Sequence, residues 1–138
     1  MKTVIFACTH SAGRSQMAAA FLSALADPAK ARAVAAGTEP AERVHPEVAA
    51  AMGELGFDLT GARPRKLTAE LAAEASLMVT MGCGEDCPYV PGLRVEDWAL
   101  DDPKGKSAAE VRRIRDGIRS RVKELIEREG LGSEGPGS

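Results

Sequence analysis

The sequence predicts an α/β fold in which a parallel sheet carries helices on both faces. Short apolar, β-branched runs alternate along the 138 residues with longer stretches of helical periodicity. No internal repeat or linker interrupts that alternation. Strands joined through helical crossovers pair in parallel, and such a sheet is buried on both sides.

The elements follow in order. Residues 2–7 (Lys-Thr-Val-Ile-Phe-Ala) are a buried strand. After a loop containing Gly13, a helix starts at Ser15, with Met17, Phe21, Ala24 and Leu25 assigned to one face, and stops before Asp27-Pro28. Residues 32–37 are a weaker strand. Pro46 opens a second helix, in which Val48, Met52 and Leu55 share a face and Gly56 is the stop. Residues 61–67 are a loop, 68–74 a short helix and 76–80 another apolar strand. Residues 81–92 hold three glycines, two prolines and two cysteines and are loop-rich. Residues 93–98 are the last strand. A final helix from about Ser107 to Arg128 carries the apolar stripe Val111, Ile114, Ile118, Val122 and Leu125. A single catalytic domain over residues 1–129 is therefore expected, followed by a disordered tail at 130–138.

Composition bounds the function. With 44% hydrophobic residues the chain can bury a real core. A net charge of -2 gives no reason to expect nucleic acid or an anionic membrane as partner, and 4% aromatics argues against a base-stacking platform. No apolar run is long enough for a bilayer, and the opening run lacks a small-residue cleavage site, so a cytoplasmic location is expected. Three cysteines (Cys8, Cys83 and Cys87) are an odd number in a reducing compartment. That argues against a disulfide framework and leaves metal binding, catalysis or burial.

The most specific signal is Cys8-Thr9-His10-Ser11-Ala12-Gly13-Arg14-Ser15, a C-x5-R-S run between a strand and a helix. A loop entering a helix N-terminus aims unpaired backbone N–H groups at one point, and small residues let it wrap tightly. The helix's positive end and the Arg14 fork favour a tetrahedral anion, and the same field is expected to favour the reactive thiolate form of Cys8. Thr9, His10, Ser11, Ala12, Gly13 and Arg14 are the expected oxyanion-binding residues. Ser15 is placed to donate to the Cys8 sulfur. His10 either helps keep Cys8 ionised or simply lines the loop.

Cys83 and Cys87 lie in Gly82-Cys83-Gly84-Glu85-Asp86-Cys87-Pro88. Glycine supplies the mobility a relay cysteine needs, and a spacing of four makes a disulfide feasible on one helical face. Two readings compete with a relay. One is zinc held by Cys83, Cys87, Cys8 and His10, but there is no second close pair and metal would consume the nucleophile. The other is plain burial, against which the glycine-rich, acidic surroundings speak.

The Cys8-x5-Arg14-Ser15 run, the late Asp102-Pro103 pair and the element order resemble the low-molecular-weight protein tyrosine phosphatase superfamily. Within it, Ser15-Gln16-Met17-Ala18, the Cys83 and Cys87 pair and Asp101-Asp102-Pro103-Lys104-Gly105-Lys106 resemble thiol-dependent arsenate reductases. Ala36-Gly37-Thr38-Glu39-Pro40 and His45-Pro46 fit the same family. Its members usually carry Asn where this loop has Ser11.

The resemblance implies a three-layer fold on a four-stranded parallel sheet and an arsenate or phosphate oxyanion as ligand. It implies attack by Cys8, and a relay through a Cys8–Cys83 and then a Cys83–Cys87 disulfide. Asp102 is by resemblance the proton donor, in the site where a carboxylic acid is needed. No bound cofactor or metal is implied, only an external thiol reductant, thioredoxin-like by preference. A monomer is expected. An aryl phosphatase on the same loop is the alternative, but such relatives have an aromatic residue after the Asp-Pro pair, where Lys104-Gly105-Lys106 stands here.

Overall fold

Four parallel strands form the sheet in the order β2-β1-β3-β4: β1 (Lys2–Cys8), β2 (Ala31–Gly37), β3 (Leu77–Thr80) and β4 (Arg94–Asp97). The structure is a computed structural model that describes residues 2–59, 61–81 and 90–132. Between and after the strands lie α1 (Arg14–Leu25), α2 (Pro46–Gly53), α3 (Ala69–Ala73) and α4 (Ala108–Glu129). Cys8 pairs in register with Gly37, and Ala7 with Thr80. The carboxyl ends of β1, β2 and β3 therefore open side by side. β1 is the switch point, flanked by the second strand on one side and the third on the other, and ligands of such sheets bind there.

Alternation along β1 divides the core into two faces. Val4, Phe6 and Cys8 point to the larger face, under α1, α2 and α4. Ile5 and Ala7 point to the smaller one, with Val34, Ala36, Met78 and the Leu71 and Ala72 pair of α3. Burying Phe6, Phe21 or Leu22 each contributes roughly 1.5–3 kcal/mol. Trp98 follows β4 into the larger core, its ring 5.8 Å from that of Phe6 and under the Arg121 guanidinium. β4 itself is mostly exposed, as suits an edge strand.

Three sequence expectations need correction. The α1 pattern assigns Ala24 and Leu25 to the buried face, but both are exposed, and the buried stripe is Met17, Ala18, Phe21 and Leu22. An alanine-rich helix marks its apolar side poorly. Leu55 is exposed because α2 ends at Gly53, two residues before it. Residues 130–132, expected to open the tail, belong to the fold. Gly130 ends α4 with φ 68°, Leu131 N–H returns to the Ile126 carbonyl (2.9 Å), and Leu131 is 3% exposed in the core. Residues 133–138, the rest of the expected tail, lie outside the described residues.

Candidate active site

Cys8 ends β1 and Arg14 opens α1, so the run between them is a loop closed at both ends by regular structure. Every carbonyl in it is tied outward. Cys8 O accepts from Thr38 N (3.2 Å), Thr9 O from Glu39 N (2.7 Å), His10 O from Ala41 N (2.9 Å) and Ala12 O from His45 N (2.9 Å). Gly13 O accepts from Met17 N at 3.0 Å, and Ser11 O from the Gln16 side chain at 2.8 Å. With its acceptors occupied outside, the loop keeps its N–H dipoles for the inside, the arrangement an anion needs.

The Cys8 sulfur lies within that ring and is 3% exposed. Ser11 N–H donates to it at 3.2 Å, and the Ser15 hydroxyl lies 3.1 Å away. Both groups can donate to a thiolate, and charge-assisted bonds of this kind are the strong ones. Ser11 adopts φ 51°, which aims its N–H inward.

The helix end behind the loop is electrostatically open. The other three helices each have an acidic residue in the first turn: Glu47 in α2, Glu70 in α3 and Glu110 in α4. α1 has none, and its N-cap Gly13 supplies no capping side chain. Its positive end is left for an external anion.

Arg14 and Asp102 meet at the mouth. Arg14 Nη1 donates to the Leu100 carbonyl at 3.0 Å, and Nη2 lies 3.9 Å from Asp102 Oδ2. The Asp102 side chain is 49% exposed, and its Oδ1 accepts the Lys104 N–H at 3.0 Å, so it shapes its own turn while facing the loop. Pro103 is packed against Gly13, where an added Cβ would sit 2.9 Å from the proline ring. A small pocket of about 10 Å3 is lined by Cys8, His10, Ala12, Gly13, Arg14, His45 and Asp102. Thr9 and Ser11 do not line it; the Thr9 carbonyl is taken by Glu39 N–H and the Ser11 N–H points at the Cys8 sulfur. His10 Nδ1 donates to the Glu39 carbonyl at 3.0 Å.

A family model described as low molecular weight phosphotyrosine protein phosphatase matches residues 3–134. The chain belongs to this family. Its relatives within the phosphatase family include a Halobacterium salinarum protein provisionally named an arsenate reductase. That protein is 40% identical over 128 residues, covering 88% of this chain and 89% of the relative. Another is the glutaredoxin arsenate reductase of Synechocystis, 35% identical over 129 residues (91% and 97% of the two chains). Among solved structures, the thioredoxin-dependent arsenate reductase of Corynebacterium glutamicum superposes with a TM-score of 0.82 at 35% identity. The match covers 95% of this chain, which spans 63% of that protein's length.

Cys8, the loop through Gly13, Arg14, Ser15 and Asp102 thus converge, whereas Cys83 and Cys87 lie outside the described residues. Three residues of this phosphatase-family site have no role in the sequence reading. Gln16 and His45 hold the loop from outside, and His45 also lines the pocket. Gly37 lies beneath the loop, where an added Cβ would sit 2.6 Å from Thr9 O, 2.8 Å from Ser11 N and 3.1 Å from Cys8 O. The segment Ala36–Pro40 and His45 stood in the family motif, but their purpose is a set of contacts across some 30 residues, which spacing alone does not reveal. Among the described residues no helix is long and apolar enough to cross a membrane.

Proposed function

We propose that this protein reduces arsenate to arsenite with Cys8 as nucleophile and Cys83 and Cys87 as the thiols that carry the oxidising equivalents away. One observation carries the reading most directly. A buried sulfur sits inside a loop whose carbonyls are all tied outward, ahead of a helix with no acidic first turn. That environment suits an anionic nucleophile together with an anionic substrate. The 35–40% identity to proteins named arsenate reductases supports arsenate over other oxyanions.

Arg14 turns from the Leu100 carbonyl and Asp102 onto the arriving oxyanion, and the loop N–H groups bind its oxygens. The Cys8 thiolate attacks arsenic(V), and one oxygen leaves as water, taking a proton from Asp102. Cys83 as thiolate then attacks the Cys8 sulfur, and the electron pair of the broken S–As bond reduces arsenic, which departs as arsenite. Cys87 attacks Cys83, freeing Cys8 and leaving a Cys83–Cys87 disulfide. An external dithiol returns that disulfide to two thiols. Thioredoxin is the preferred reductant because the chain holds both resolving thiols itself, and glutaredoxin is the runner-up that one relative's name suggests.

The catalytic unit is read as residues 1–129 extended through Leu131, working as a monomer, since the loop, Arg14 and Asp102 all come from one chain. A cytoplasmic location fits a reaction that consumes cellular dithiols. Arsenate-dependent NADPH oxidation through thioredoxin and its reductase tests the reading. Cys8→Ser is expected to lower the rate about 1000-fold or more. A Cys8→Ser protein as active as the parent would refute the nucleophile, and brisk aryl phosphate hydrolysis with no arsenate turnover would move the function to phosphatase.

A further inference from the structure

Five of the six carbonyls in the oxyanion loop are held by backbone N–H groups. The sixth, Ser11 O, is held by a side chain. Gln16 Nε2 donates to it at 2.8 Å and also lies 3.3 Å from Ser11 Oγ and 3.4 Å from the Arg63 carbonyl. Ser11 is at the same time the non-glycine residue with positive φ among the described residues, and its N–H is the backbone donor to Cys8 Sγ. The left-handed conformation is disfavoured for any residue with a Cβ and persists where surrounding contacts impose it. Ser11 is fully buried and Gln16 is 6% exposed, so water does not replace the bond if it is lost.

We propose that Gln16 is a positioning residue for Cys8. It holds Ser11 in the left-handed conformation that points the Ser11 N–H at the sulfur. It also fastens the loop to the strip around Arg63. That strip is anchored in turn to the end of β2, where Gly37 N–H donates to Arg65 O and Leu67 N–H to Gly37 O, both at 2.8 Å. The proposal rests on the reading of Cys8 as nucleophile. Gln16 touches neither the sulfur nor the pocket, and acts through Ser11.

The test uses Gln16→Met, which keeps the length of the side chain and removes its donors, alone and combined with Ser11→Gly. Glycine enters the left-handed region without penalty, so it removes the need for the clamp. Two quantities are read: kcat/KM for arsenate with thioredoxin, and the pH profile of Cys8 alkylation by iodoacetamide, followed on the Cys8 peptide by mass. His10, Arg14, His45 and Asp102, the charged or titratable groups lining the pocket with Cys8, are the same in every variant.

Gln16→Met is expected to lower kcat/KM about tenfold and to move the alkylation profile to higher pH while unfolding stays cooperative. Adding Ser11→Gly is expected to recover most of both losses. Gln16→Leu, made in parallel, keeps the test open if the methionine variant does not fold. Parent-like kinetics and profile in the Gln16 variants, or a loss that Ser11→Gly does not relieve, would overturn the proposal. Arsenate reduction that survives Cys8→Ser would instead overturn the nucleophile reading on which it rests.

Discussion

Gly37→Ala tests whether the oxyanion loop rests on the end of β2. The glycine's backbone is not in the left-handed region, so alanine suffers no conformational penalty there. What it meets is backbone: Thr9 O at 2.6 Å, Ser11 N at 2.8 Å and Cys8 O at 3.1 Å. No side chain can rotate away, so the loop itself must lift. Overpacking of this kind costs about 1–3 kcal/mol, which lowers Tm by roughly 3–10 °C in a domain of this size. The displaced atoms include the donor to the Cys8 sulfur. A shift of even a few tenths of an ångström there is expected to lower kcat/KM for arsenate by about 10- to 100-fold. Thermal unfolding followed by circular dichroism, together with the thioredoxin-coupled assay, gives both values. Parent-like Tm and kcat/KM in Gly37→Ala would refute the claim that this contact sets the loop.

Asp102→Ala is expected to slow the first chemical step about 100-fold or more, seen in single-turnover arsenate reduction, with unfolding unaffected because the side chain is half exposed. An unchanged rate would remove it as the acid. Arg115→Leu leaves the buried Ala51 carbonyl and Glu54 without their 2.8 and 2.9 Å donor, and is expected to cost about 1–3 kcal/mol in urea unfolding while sparing turnover well below Tm. Acid stability follows from two ion-paired carboxylates, Glu54 and Glu129. Hydrogen bonding from Arg112 lowers Glu54 from 4.5 to about 2, and that from Arg94 does the same for Glu129. A lowered carboxylate contributes stability above its ordinary value and loses it as pH falls through the folded one. Tm is therefore expected to decline between pH 4.5 and 2, less steeply in Glu54→Gln and less steeply in high salt.

How much was legible in the sequence depended on distance along the chain. The strand, loop and helix around Cys8 are contiguous, so apolar run, small residues and Arg14 announced both the element order and the anion site. The α4 stripe was equally plain, because its polar face is densely charged. α1 was misread at Ala24 and Leu25, since eight of its twelve residues are Ala, Leu, Met or Phe and no polar face is marked. Leu131 follows a glycine and precedes a polar tail, and only the turn at Gly130 brings it back onto the core. Gln16, Gly37 and His45 matter through contacts made when β2 and α2 fold against the loop. All three fall in the runs that carry the family resemblance, but their spacing carries no sign of what they touch.

The central claim is that arsenate oxidises this chain at Cys8 and leaves the oxidation on the other two cysteines. Fully reduced protein is mixed with one equivalent of arsenate without reductant, and remaining thiols are blocked and counted by mass. Loss of two thiols, release of one arsenite and a disulfide mapped to Cys83 and Cys87 are expected. Retention of all three thiols, with arsenate unchanged, would contradict it.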